Sequence, residues 1–191
     1  MDLEMLRECM KSLLKESRYR HSLGVEEVSY DLALIYGYDT EVASIAGILH
    51  DCARYLSNKE LLKECIKNNL PVTEIEEKNL LLLHAKVGAL YAKEKYGIEN
   101  EDILNAINYH TTGRPAMSLL EKIIYTADCI EPYRKPIPDI DKARKAAYKN
   151  LDLAVVMILR NTLEYLTEKG AVIDTLTIET YEYYKKITQT E

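Results

Sequence analysis

Phenylalanine and tryptophan are absent from this sequence, so its aromatic packing falls to 15 tyrosines. Cysteine is scarce: Cys9, Cys52, Cys65 and Cys129 form no CxxC pair and sit inside helix-like patterns, which argues against a disulfide framework and for a reduced, cytoplasmic setting. No stretch approaches the roughly 18 uninterrupted apolar residues of a membrane span. The longest candidate, LLLLHAKVGALYA, is broken by His84 and Lys86. A basic surplus is missing as well: 25 Lys and Arg stand against 31 Asp and Glu, for a net charge of -6. That balance argues against a general nucleic-acid surface, which needs a basic face, and leaves room for a local basic pocket. The first residues, MDLEMLRECMKSLLKESRYRHS, lack the apolar core and cleavage site of a signal peptide, so export is not expected. No Walker loop and no GxGxxG fingerprint is found, which leaves phosphate recognition by a glycine-rich loop unsupported.

What is there is an ordinary globular composition, 47% hydrophobic and 29% charged over 191 residues, the size of one domain. Nearly every segment carries apolar residues at three- and four-residue spacing, and no useful strand alternation occurs. The fold class is therefore all-α. Gly37, Asn68 to Pro71, Gly97, Thr111 to Pro115, Pro132 to Pro138 and Gly170 punctuate the chain into about eight to ten helices. Asp39 or Thr40, Asn100 or Glu101, and Ser118 are the N-cap candidates. PYRKPIPD, residues 132 to 139, reads as a loop within one unit, residues 1–191, rather than a linker between two. Beyond it, LDLAVVMIL and YEYYKK either complete the core or form a homodimer face.

The chain has four histidines, and three of them fall in the apolar stripe of their own helix. His21 keeps step with Val25, Val28, Leu32 and Ile35; His84 with Leu80, Leu81, Val87 and Tyr91; His110 with Ile103, Ala106 and Ile107. In GILHDCARYL, His50 and Asp51 lie about 100° apart yet both lean over the preceding turn, where Gly47 leaves the space empty. Asp128 follows Ile124 by one turn. A lone inward histidine is most simply a hydrogen-bonded core residue. Four with none left for the surface, joined by two inward carboxylates, form a donor set whose buried charge a bound cation offsets. Imidazoles with carboxylates suit divalent iron, manganese, zinc or nickel better than magnesium or calcium. Six donors suffice for two ions bridged by one carboxylate and a water or hydroxide, a candidate nucleophile.

The cations nearest these residues in sequence are Arg18, three before His21, Arg54, four after His50, and Arg114 and Arg134 in the loops after His110 and Asp128. With the Thr111, Thr112 and Gly113 turn they are the candidate phosphate contacts. Asp102, Glu121 and Glu131 are carboxylates able to orient a ligand imidazole, and Glu131, one turn beyond Asp128, is the preferred one. Cys52 and Cys129 each follow a candidate aspartate and read as small core residues rather than thiolate ligands.

The order His, His-Asp, His, His, Asp on helices resembles the HD-domain phosphohydrolase superfamily. RYRHSLGV (18–25), AGILHDCAR (46–54), LHAKVGA (83–89), NYHTTGRPAMS (108–118) and EKIIYTADCIEPYR (121–134) are similar to its YqeK-type branch, the symmetrical bis(5'-nucleosyl)-tetraphosphatases. The resemblance implies a helical HD bundle with a metal-binding core over 18–134 and additional C-terminal helices over 139–191. It implies a cytoplasmic, nucleotide-binding hydrolase that cuts diadenosine tetraphosphate into two ADP. By its pattern His21, His50, Asp51 and Asp128 would hold one metal, and Asp51, His84 and His110 the second. Asp51 would bridge them, and iron is implied in both places. Arg54 departs from the pattern, since such proteins often carry Lys there, and a guanidinium fork meets phosphate oxygens differently from an ammonium.

Overall fold

The computed structural model describes residues 2–134 and 139–189. Residues 135–138, the middle of the stretch read as a loop, lie outside them. The described residues form helices and no strand: α1 (Leu3–Leu13), α2 (Glu16–Tyr36), α3 (Thr40–Leu49), α4 (Asn58–Lys67), α5 (Glu74–Lys78), a 3-10 turn (Leu80–Leu82), α6 (Leu83–Glu94), α7 (Glu101–Tyr109), α8 (Leu119–Ile130), α9 (Ile140–Ala147), α10 (Leu151–Glu168) and α11 (Thr175–Thr188). The expected helix count falls short because α5 is only five residues long. Its Thr73/Glu76 capping box satisfies free N–H groups at its start, which lets a single turn stand between loops.

The caps read from the sequence stand where expected. Asp39 accepts from the backbone N–H groups of Glu41 and Val42, Asn100 from that of Asp102, and Ser118 from that of Glu121. These caps fix where α3, α7 and α8 begin, and so which residues reach their inner ends.

Helix α2 runs against α3 and α8, α7 packs on α3, α6 and α8, and α10 joins α8, α9 and α11. Val25, Leu32, Ile48, Leu49, Ile107, Ile123 and Ile124 fill the space between them without solvent exposure. In the C-terminal part Ala154, Val155, Ile158 and Leu159 are buried, so LDLAVVMIL completes the core. No helix among the described residues is long and apolar enough to cross a membrane.

Gly47 has a different role from the one its spacing suggested. A Cβ there would meet Cα of Glu26 at 2.8 Å and its backbone N at 3.1 Å. Gly47 therefore lets α3 lie directly on the α2 backbone, and the space it leaves is filled by α2, not by His50 and Asp51.

Candidate metal centre

Five segments converge on one point. His21 projects from the middle of α2, His50 and Asp51 follow the end of α3, His84 opens α6, His110 follows α7, and Asp128 stands in the last turns of α8. Beyond Leu49 the α-helix does not continue: Cys52 N–H bonds to Leu49 C=O and Arg54 N–H to Asp51 C=O, both three residues back. This tighter winding turns His50 and Asp51 inward together. His21, His50, Asp51, His84 and His110 are all buried, and the Asp128 side chain is 15% exposed.

The tautomer of each neutral ring follows from its neighbours. Nδ1 of His50, His84 and His110 donates to the carbonyl three residues earlier, Gly47, Leu81 and Ile107, at 2.5–2.7 Å. Nδ1 of His21 donates to Oε1 of Glu131 at 2.9 Å. With the proton on Nδ1, Nε2 is a bare lone pair. These lone pairs face each other in two couples, His21 with His50 at 3.2 Å and His84 with His110 at 3.1 Å. Two acceptors so close repel unless they share a proton or a metal ion. Nitrogens each about 2.1 Å from one ion stand close to 3 Å apart when they are neighbours in its coordination shell, so the spacing fits.

Asp51 lies between the couples and divides its oxygens. Oδ2 faces His50 Nε2 at 3.5 Å and His21 Nε2 at 3.9 Å, while Oδ1 faces His84 Nε2 at 3.2 Å and His110 Nε2 at 3.7 Å. The donor atoms of His21, His50 and Asp51 lie within 4.8 Å of one another, and so do those of Asp51, His84 and His110. Asp128 reaches the first couple alone, with Oδ1 at 3.0 Å from His21 Nε2 and 3.8 Å from His50 Nε2. Burial opposes the charge on both carboxylates but loses to the imidazoles around Asp51 and to Arg134 beside Asp128. Both stay far below the usual carboxylate range, hence ionised. Burial pulls His84 below the ordinary histidine value; it acts the same way on His110, where the nearby Asp51 carboxylate outweighs it and the net shift is upward. Burial pushes the Cys52 and Cys129 thiols up to about 12, so neither is a thiolate near neutral pH.

A cavity of about 240 Å³ opens over the cluster, and Arg18, Arg54, Arg134 and Thr111 border it. Arg18 Nη1 donates to Asp51 Oδ2 at 2.7 Å, and Arg134 Nη1 to Asp128 Oδ1 at 2.6 Å. Three other candidates are not brought there. Arg114 forms a fork with Glu121, Nε to Oε1 at 2.6 Å and Nη2 to Oε2 at 3.0 Å. The Thr112 hydroxyl donates to Gly113 C=O, and Gly113 N–H is taken by Tyr109 C=O. Nearness to His110 in sequence did not place these groups, because the turn after α7 aims them toward α8 and α11. Glu121 is likewise held by Arg114 and Ser118, and Asp102 by the Tyr38 hydroxyl.

Glu131 is fully buried against His21. Gly24 makes room for it, since a Cβ there would stand 2.5 Å from Glu131 Oε2. Glu131→Ala is expected to weaken metal retention by about 10–100-fold, as loss of a group that orients a ligand imidazole does; dialysis against graded chelator followed by metal analysis measures it. The sequence reading missed the three carbonyl anchors. Their signal was the position of His50 and His110 just past helix ends, where last-turn carbonyls are free. It also missed the cavity walls given by Tyr125 and, from α10, Thr162.

The HD domain family model matches residues 18–133, which hold all six of these donors. The chain belongs to the HD-domain family. This HD protein is 44% identical over 172 residues to the symmetrical bis(5'-nucleosyl)-tetraphosphatase of Halalkalibacterium halodurans, covering 90% of this chain and 91% of that one. It is 39% identical over 175 residues to the protein of the same name from Bacillus subtilis, covering 92% and 93%. Its fold matches a crystal structure from Clostridium acetobutylicum, described as a predicted HD superfamily hydrolase involved in NAD metabolism, with a TM-score of 0.94, 42% identity and 98% of each chain covered. The HD domain and the His/Asp cluster together point to a divalent metal site.

Proposed function

We propose that this HD protein is a symmetrical bis(5'-nucleosyl)-tetraphosphatase that hydrolyses diadenosine tetraphosphate to two ADP with two divalent ions. The observation that carries this reading is the pair of facing Nε2 couples with the two oxygens of Asp51 divided between them. His21, His50, Asp51 and Asp128 would hold one ion and Asp51, His84 and His110 the other. The donors suit several divalent transition metals, and the family resemblance implies iron, with manganese the alternative. When bound, such a pair supplies Lewis acidity at phosphoryl oxygens and lowers the pKa of water for attack on phosphorus.

The protein's own groups do the rest. Arg18 and Arg134 each give one Nη1 to an aspartate, which orients that carboxylate and leaves further N–H groups for phosphate oxygens at the cavity. Arg54 stands partly buried at the same cavity, its Nε 3.7 Å from Asp51 Oδ1, and an anion there would offset the burial that draws its pKa below the ordinary guanidinium value. Arg54→Ala is expected to lower kcat/KM for diadenosine tetraphosphate by about 10²-fold, with Arg54→Lys intermediate, read from steady-state kinetics.

A second reading, another HD nucleotidase or nucleotide phosphodiesterase on the same metals, draws support from the NAD-related description of the Clostridium acetobutylicum protein. A panel of diadenosine tetraphosphate, NAD, mononucleotides and cyclic nucleotides separates the two, since symmetrical cleavage alone yields two ADP per molecule consumed. Faster turnover of any other member would favour the second reading.

A further inference from the structure

The cavity over the cluster is walled by arginines, threonines, tyrosine and the cluster itself, and holds about 240 Å³. That suits phosphates and offers little aliphatic wall to a base. On the reading above, the substrate carries a nucleoside at each end of its phosphate chain, so each must leave this cavity. Thr111 marks one way out. It lines the cluster cavity and also a larger one, of about 730 Å³, between α6, α7 and the start of α11.

The larger cavity has the character of a small-molecule site, with an aliphatic wall of Leu82, Ala89, Leu90, Leu104 and Leu176 and polar groups between them, three carboxylates and two lysines included. One of those groups is Asn108, two residues before His110. The end of α7 thus delivers an imidazole to the cluster and a carboxamide to the neighbouring cavity. No described residue hydrogen-bonds the Asn108 amide. Its oxygen and NH₂ stand side by side, complementary to a donor and acceptor along one edge of a base such as adenine.

We propose that this cavity is the subsite for one nucleoside of the substrate, with the base on its aliphatic wall, Asn108 at the base edge and Thr111 at the passage to the phosphates. Another neighbouring cavity shares Arg18 and Arg134 with the cluster cavity and has Ser17, His21, Glu131 and Tyr133 as its other walls. That charged lining fits phosphate rather than a base.

Calorimetric titration of metal-loaded protein with ADP and with inorganic pyrophosphate tests the assignment. Wild type is expected to bind ADP more tightly than pyrophosphate. Ala89→Trp, which fills the cavity, is expected to weaken ADP by about tenfold or more, and Asn108→Ala, which leaves the wall open, by about three- to tenfold. Pyrophosphate should stay within about twofold in both, and Tyr133→Ala should weaken ADP no more than it weakens pyrophosphate. ADP affinity unchanged in Ala89→Trp and Asn108→Ala, equal losses for both probes, a wild type that binds the two alike, or a loss of ADP confined to Tyr133→Ala would each overturn it. Failure of the functional reading is a separate result, a wild type that releases no ADP from diadenosine tetraphosphate.

Discussion

The double variant His50→Ala with Asp51→Ala is expected to release ADP from diadenosine tetraphosphate at least about 10³-fold more slowly than wild type, a loss of roughly 4 kcal/mol of transition-state stabilisation. His50 is half of one Nε2 couple, and Asp51 is, among the described residues, the only carboxylate facing both. Removing the two together leaves His21 and Asp128 on one side and His84 and His110 on the other, with nothing between them. Metal content should fall with activity. Helix content read by circular dichroism distinguishes loss of the site from loss of the fold. Full activity in a folded double variant would remove the basis of the functional reading.

Chelation is the second large effect. A metal-stripped sample is expected to be inactive and to melt about 5–10 °C lower than one with metal at a hundred times its dissociation constant, since binding at that ratio adds about 2.7 kcal/mol to folding. The physical source is local. Without an ion, two pairs of imidazole lone pairs stand 3.1–3.2 Å apart around a buried ionised aspartate. Differential scanning fluorimetry with and without iron(II) or manganese(II) reads the shift. Equal melting temperatures with and without metal would mean that the couples hold no ion in the folded protein.

The inward histidines were legible because three of them keep helical step with apolar neighbours, and the fourth adjoins an aspartate at the end of an apolar helix. Asp39, Asn100 and Ser118 were legible as caps because capping is decided within four residues. What escaped the sequence depends on which chain lies across the way. Gly47 is required by the Glu26 backbone on α2, and Gly24 by a carboxylate 107 positions later, and no local pattern encodes either approach. Arg114 shows the same limit in reverse. Its nearness to His110 suggested a phosphate contact, whereas the loop turns it back onto Glu121 at the start of α8. Glu131 was found because one helical turn separates it from Asp128, though its contact is with His21 on another helix.

The central claim is that the two Nε2 couples on either side of Asp51 hold two ions that act on a dinucleoside tetraphosphate. Metal analysis of the purified protein, coupled to product identification with diadenosine tetraphosphate on the same sample, tests it most directly. The account predicts about two divalent ions per chain and ADP as the sole nucleotide product. One ion or none in an active sample, or ATP with AMP among the products, would contradict it.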